Sequence, residues 1–330
     1  MASNPTLFER AVSRLKLRQL RLIVAAGQHQ NILYAAQSLN ISQPAATKLI
    51  KDLEADFDVR LFDRTNRGVI PTAHGAALIR HAQLIFAQLG TAAQEMEDLT
   101  EGAIGRVTIG TLVAGAAHLV PAAIGRVLET RPNVAFKVVE GTNEVLMPMV
   151  RTGELDMVVG RLPTHRHRRD LHQVPLVEEN ISLIVGRTHP LAGSKTLQFD
   201  DLRPFGWILP PAETTLRRQI DEVFMDADQY HPPLVVESVN YLTNRALLGQ
   251  GKLIGVVPKQ VAVADIASDL LVELDYQLPF SFGPVGVTHR GDAQLSPAAA
   301  LFLGALKETA ADGAAAEISR STPSTAPGNS

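Results

Sequence analysis

The feature that most constrains the fold is a four-residue join, Leu39-Asn40-Ile41-Ser42, between two segments whose apolar residues recur every three or four positions. Such segments are amphipathic helices, and a join this short forces the second helix to cross the first. Ser42 is a good N-cap, and Pro44 falls in the first turn, where its missing N–H costs nothing, so the second of the pair starts at Ser42 and runs from Gln43 to about Phe57. The helix before it spans Ile32 to Leu39, and a further helical pattern spans Leu15 to Gly27. Ala35 and Ala36 are small enough for close approach, and Ile41, Leu49 and Leu53 supply the facing apolar surface. The expected geometry is a helix-turn-helix.

Downstream, VRLFDRTNRGVIPT places two short β-prone runs around Thr65-Asn66-Arg67-Gly68, a turn in which Asn and Gly tolerate positive φ. This predicts a two-stranded wing. Thr72 then caps a long helix to about Leu99, along which Ile79, Ala82, Phe86, Leu89, Ala93 and Met96 recur in alternating steps of three and four. That seam predicts contact between two copies of the chain, the other reading being a helix packed on its own domain.

At 330 residues, with 45% apolar and 20% charged residues, the chain is long enough for two or three globular units. No apolar run approaches the roughly 18 residues of a membrane span, and MASNPTLFERAVSR lacks the apolar stretch of a secretory signal, so a cytoplasmic protein with no membrane partner is expected. The absence of cysteine excludes disulfides, thiolate metal sites and cysteine nucleophiles. The net charge of −3 is unevenly spread, because the first 68 residues carry ten Lys/Arg against six Asp/Glu, net +4, and leave −7 on the remainder. A basic N-terminal unit on an acidic body suits a protein that offers one face to phosphate.

From Val107 the pattern changes to alternating strands and helices, which predicts mostly parallel sheets. Strands are expected at Val107 to Thr111, Val134 to Glu140, Met157 to Gly160, Ile181 to Val185, Trp207 to Leu209, Leu234 to Ser238, Ile254 to Val257 and Val285 to Thr288, with a closing helix capped by Ser296. The expected divisions are 1–71, 72–102 and 103–312, the last made of two subdomains (103–162 with 270–312, and 163–269), followed by a disordered tail at 313–330.

The exposed residues expected on the second helix of the pair, Ser42, Gln43, Pro44, Ala45, Thr47, Lys48 and Lys51, are small, hydrogen-bonding or basic, which suits the major groove of double-stranded DNA. Gln pairs with adenine, Ala and Thr methyls touch the thymine methyl, and Lys reaches phosphate or guanine. Arg64 and Arg67 stand at the wing, either reaching phosphate and minor groove or held in ion pairs such as one with Asp63. The run Thr164-His165-Arg166-His167-Arg168-Arg169 reads as a solvated basic loop, since guanidiniums beside two imidazoles repel a metal ion. No nucleophile elbow, phosphate loop, HExxH or dinucleotide fingerprint is present, so no enzyme activity, metal or cofactor is expected.

The block AAQSLNISQPAATKLIKDLEADFDVRLFDRTNRGVIPTAHG resembles the winged helix-turn-helix of LysR-type transcription regulators, with the AA, L, SQPA, LE, LF-R and T-x-x-G landmarks in order. It departs from them at Asp58, where the family usually has Gly, at Asn31, often Ser, and at His74, commonly a small residue. RGVIPTAHG and VVGRL look most like the subgroup that regulates catabolism of aromatic acids and sugars. The resemblance covers about residues 15 to 310 and implies an all-α winged helix-turn-helix, a long linker helix, and a two-subdomain α/β effector domain like a periplasmic binding protein. It further implies a dimer or tetramer acting on promoter DNA with RNA polymerase, and a small inducer, usually an organic acid, in a cleft at strand ends and helix N-termini. Candidate inducer contacts are Thr111, Leu112, Val113, Arg161, Pro163, Thr164, Pro211, Thr214, Thr215, Ser238 and Asn240. Arg161 either pairs with a ligand carboxylate or forms a structural ion pair, and Thr214 and Thr215 either touch ligand or cap a helix. A small-molecule binding protein or enzyme with an N-terminal oligomerisation arm is the alternative reading.

Overall fold

Three capped helices build the N-terminal unit. The computed structural model describes residues 13–66, 68–100, 105–163, 171–226, 234–278, 283–291 and 295–321, and its chain divides into Met1–Gln94 and Glu95–Ser330. Helix α1 (Leu17–His29) ends at Gln30, whose φ of 49° is left-handed. Helix α2 (Ile32–Ser38) is capped by Asn31, whose Oδ1 accepts from the N–H of Leu33 at 2.8 Å and of Tyr34 at 3.4 Å. The Ser-to-Asn departure therefore keeps the capping function. Ile41 N–H donates to Ala36 O at 3.0 Å, closing the short turn. Helix α3 (Gln43–Phe57) is capped by Ser42 as expected and ends at Asp58, held at φ 54°. Leu20, Ile23, Ala26, Ala35, Ala36, Ala46, Ile50 and Leu53 close the core between the three helices.

Strands β1 (Phe62–Thr65) and β2 (Gly68–Pro71) pair antiparallel with Thr65 opposite Gly68, which makes the wing. Glu54 ties α3 to the wing, its Oε1 accepting from Leu61 N–H at 2.8 Å and Phe62 N–H at 3.4 Å. Val69 N–H donates to Gln30 O at 2.8 Å, tying β2 to the end of α1. At Gly68, φ is 145° and a Cβ would lie 2.2 Å from that carbonyl oxygen, so only glycine fits. Thr72 caps helix α4 (Ala73–Thr100) by accepting from Gly75 N–H at 3.0 Å, and its hydroxyl donates to Arg60 O at 2.7 Å. The expected seam along α4 divides. Ala82 is buried in the N-terminal core with Ile79 and Phe86 against it, whereas Leu89, Ala93 and Met96 are exposed.

The second unit holds two five-stranded sheets. The first runs β4-β3-β5-β12-β6, from β3 (Arg106–Thr111), β4 (Ala135–Glu140), β5 (Met157–Arg161), β6 (Leu171–Glu178) and β12 (Pro284–Arg290). The second runs β11-β7-β10-β8-β9, from β7 (Ile181–Gly186), β8 (Gly206–Leu209), β9 (Leu234–Glu237), β10 (Leu253–Pro258) and β11 (Leu271–Glu273). Strands β3, β4 and β5 are parallel, as are β8, β9 and β10, while β6, β7, β11 and β12 run antiparallel to their neighbours. Each sheet is thus mixed, with a parallel half. The helices are α5 (Val113–Ala116), α6 (Leu119–Thr130), α7 (Asn143–Thr152), α8 (Phe199–Leu202), α9 (Thr215–Asp226), α10 (Tyr241–Leu248), α11 (Lys259–Ala267) and α12 (Pro297–Ser321). Val107, Ile109, Val159 and Val287 pack against Phe302 and Leu306 of α12 in the first core, and Trp207, Leu183 and Ile254 against Ile220 and Phe224 of α9 in the second.

Two expectations are corrected here. The subdomain crossings fall after β6 and after β11, not at 162 and 270, because β6 pairs with β12 from Glu178 opposite Pro284 to Leu171 opposite Arg290, while β11 pairs with β7. Residues 313–321 are helical, not a disordered tail, because the Ala-rich run after Gly313 continues the backbone ladder of α12 at little conformational cost. Residues 322–330 lie outside the described residues. No described helix is long and apolar enough to cross a membrane.

Candidate DNA interface and ligand cleft

Packing in the N-terminal unit decides which face of α3 is free. Ala46, Ile50 and Leu53 point into the core, which turns Ser42, Gln43, Pro44, Ala45, Lys48 and Lys51 outward and leaves Thr47 half-buried. The helix buries one stripe and offers the opposite one as a row of donors, acceptors and cations. Arg64 is exposed on β1, and neither it nor Asp63 forms an ion pair among the described residues. Arg67 lies outside the described residues.

The second unit contains a cleft of about 790 Å³, part of it open to solvent. Its walls are the carboxyl ends of the parallel strands with the residues that follow them, where open α/β sheets bind ligands. The first turns of α7, α9 and α10 contribute Asn143 and Glu144, Thr215 and Leu216, and Tyr241 and Asn244. Of the expected contacts, Leu112, Val113, Arg161, Thr214, Thr215 and Ser238 line this cleft.

Of the remainder, Thr111, Pro163, Pro211 and Asn240 are not among the residues that line the cleft. Thr111 is buried, and its hydroxyl is 3.0 Å from Leu112 O and 3.2 Å from Val159 O. Pro163 lends its carbonyl to Gln173 Nε2 at 2.9 Å, and Pro211 lends its own to the Thr214 hydroxyl at 2.8 Å. Asn240 caps α10, its Oδ1 accepting from Thr243 N–H at 2.9 Å. Thr164 and the histidine-arginine loop lie outside the described residues. Thr214 lines the cleft and also serves α9, its Oγ1 accepting from Arg217 N–H at 3.3 Å.

Arg161 takes the structural option. Its Nε donates to Glu179 Oε2 at 2.8 Å, a second guanidinium nitrogen donates to the same oxygen, and both side chains are at least nine-tenths buried. Burial pushes the Glu179 carboxyl above its ordinary range and the Arg161 guanidinium opposes that rise. Sequence reasoning missed Glu179, Asn143, Tyr241 and Asn244. Tyr241 donates its hydroxyl to Asp265 Oδ2 at 2.7 Å, and Arg245 Nε holds the other oxygen at 2.8 Å, which fixes α10 against α11 at the cleft edge.

A winged helix-turn-helix joined to a two-sheet unit with a cleft at its strand ends is the build of a ligand-sensing transcription regulator. Two family profiles match the chain, the bacterial regulatory helix-turn-helix protein of the LysR family over residues 17–76 and the LysR substrate binding domain over residues 100–311. The chain belongs to the LysR family of transcription regulators, a family of regulators rather than enzymes. Among curated relatives it is 34% identical over 296 residues to the HTH-type transcriptional regulator GbpR of Azospirillum brasilense, covering 89% of this chain and 86% of that one. It is 29% identical over 299 residues to PcaQ of Agrobacterium fabrum, covering 91% and 96%. The fold matches the crystal structure of the LysR family regulator CbnR with a TM-score of 0.57 at 21% identity, over 90% of this chain and 99% of that one. It also matches full-length CbnR complexed with its target DNA, again at 0.57 and 21%, over 89% and 100%.

Proposed function

We propose that this chain binds promoter DNA as a homo-oligomer and changes its grip on that DNA, and thereby its dealings with RNA polymerase, when a small organic ligand fills the cleft. The carrying observation is the outward row Ser42, Gln43, Pro44, Ala45, Lys48 and Lys51 on a helix whose other face is locked into the core. Gln43 and Ala45 read base edges, Lys48 and Lys51 hold phosphate or guanine, and Arg64 and Arg67 extend the contact along the backbone. The solved CbnR–DNA complex supports this use of the fold. Exposed Leu89, Ala93 and Met96 on α4 support pairing of two copies through that helix, which sets two heads at a fixed half-site spacing.

The inducer is an organic molecule bearing a carboxylate, held by the N–H groups that open α9 and α10 and not by Arg161, whose charge Glu179 already balances. The test is fluorescence anisotropy on the duplex upstream of the chain's own gene, with sedimentation of the same sample. Salt-sensitive binding by a dimer or tetramer is expected. Affinity no better than for random duplex overturns the promoter reading, and a monomer overturns the pairing.

A further inference from the structure

Three residues that line the cleft each carry a buried side-chain oxygen with no hydrogen-bond partner among the described residues: Asn143 Oδ1, Asn244 Oδ1 and Glu179 Oε1. These residues are deeply placed, with whole-residue exposures of 6%, 7% and 9% in the order Asn143, Asn244, Glu179. In both amides the nitrogen is already committed. Asn143 Nδ2 donates to Arg161 O at 3.2 Å and Asn244 Nδ2 donates to Ser238 O at 3.5 Å, which orients each Oδ1 away from those carbonyls. The open capacity of these three side chains is therefore for accepting hydrogen bonds. It comes from both halves of the unit, since Asn143 opens α7 beside the first sheet and Asn244 lies in α10 beside the second.

That sign selects among ligands. A bare carboxylate offers only acceptors and would meet three more, one of them on a carboxyl group. The cation of the wall, Arg161, is engaged by Glu179. A hydroxyl group brings an O–H donor to a buried oxygen that otherwise bears the desolvation cost of an unmade bond. We infer that the cleft takes a polyhydroxylated small molecule whose hydroxyl groups donate to Asn143 and Asn244 from opposite sides of the cleft. The inference rests on the reading of the cleft as the ligand site and narrows its chemistry. A carboxylate on the same molecule is compatible with it, because the N-termini of α9 and α10 provide donors separate from these oxygens. A ligand bonded to both asparagines bridges the two halves, so its hydroxyl pattern couples occupancy to their closure.

The test uses the full chain and two matched pairs, gluconate against hexanoate and 3,4-dihydroxybenzoate against benzoate. Within each pair the carboxylate and carbon count are the same and only the hydroxyls differ, and the two pairs separate an aliphatic polyol from an aromatic diol. Calorimetric titration is expected to show, in at least one pair, the hydroxylated member binding about tenfold or more tightly than its partner. Asn244→Leu should erase most of that preference, while Asn244→Asp, which keeps an acceptor, should retain it. DNA affinity of the ligand-free variants serves as the check that they fold.

Equal binding within both pairs, with both members weakened by Asn244→Leu, overturns the hydroxyl assignment and leaves the cleft as the ligand site. Binding that Asn244→Leu and Asn143→Leu leave unchanged overturns the cleft reading as well. Binding by none of the four compounds overturns the inference.

Discussion

Replacing Arg161 by Leu tests whether the wall of the cleft is held by a buried ion pair. Arg161 and Glu179 expose only 9% and 5% of their side chains, so removing the cation strands a carboxylate where solvent cannot compensate it. Breaking such a pair from one side costs about 3–5 kcal/mol. For a unit of this size each kcal/mol corresponds to roughly 2–4 °C, so the melting temperature should fall by roughly 6–20 °C.

The loss should also depend on pH. Burial already raises the Glu179 pKa, and Arg161 is the influence that holds it down, so the variant raises it further. A carboxyl whose folded pKa lies above its unfolded value destabilises the fold increasingly as pH rises from 4.5 through the folded value. The gap between variant and parent should therefore widen between pH 5 and pH 8, and the double variant Arg161→Leu/Glu179→Leu should recover most of the loss. Scanning calorimetry at the two pH values reads both effects. A gap below about 1 kcal/mol, the usual value of an exposed pair, or one that does not change with pH, would show that this pair contributes no more than a solvated one.

Gly75→Ala should cost at least about 3 kcal/mol in urea unfolding of the N-terminal unit, because its Cβ would lie 1.9 Å from the backbone oxygen of Leu61. Asp58→Gly should stabilise the same unit by roughly 0.5–1 kcal/mol, seen as a rise of a few degrees in its melting temperature, since Asp58 ends α3 at φ 54°. Acidification should weaken the second unit below about pH 6.5. Burial lowers the His189 pKa below 6.5, its Nδ1 accepts from Leu191 N–H at 3.1 Å, and its ring lies 4.4 Å from that of Phe205, so the unfolded chain takes up the proton more readily. His289, also lowered chiefly by burial, acts in the same direction. His189→Asn should flatten the pH dependence of the melting temperature without abolishing it.

Local chemistry made the N-terminal unit legible. Capping by Ser42 and Thr72, the short turn at Ile41 and the wing hairpin are set by residues within a few positions of one another, and such signals survive in a single sequence. The family landmarks acquire physical reasons in the structure: Glu54 binds the wing, and Gly75 lets α4 approach Leu61. What escaped depends on distant pairing. Strand β6 contains Pro175, which argues against a strand, yet it lies at a sheet edge beside a register shift, where a missing N–H is tolerated. Strand β11 is three residues long and exists by pairing with β7.

The cleft shows the same division. Residues that follow strands, such as Leu112, Val113 and Ser238, were found from the rule that ligands sit at strand ends. Asn244 gave no signal, because one asparagine inside a helix looks like any polar surface position until tertiary packing turns it inward. The partner of Arg161 lies 18 residues away across two strands, and nothing in the sequence distinguishes Glu179 from its neighbour Glu178.

That the outward face of α3 reads a promoter is a claim that competitive anisotropy of the Gln43→Ala variant can decide. Losing one base-reading side chain should reduce affinity for the specific site by about 1–3 kcal/mol, with binding to random duplex nearly unchanged. Lys51→Gln, which removes a backbone contact, should weaken both duplexes alike and lower the salt slope by about one unit. A Gln43→Ala chain that keeps the parent's preference for its own upstream duplex over random DNA would contradict the claim.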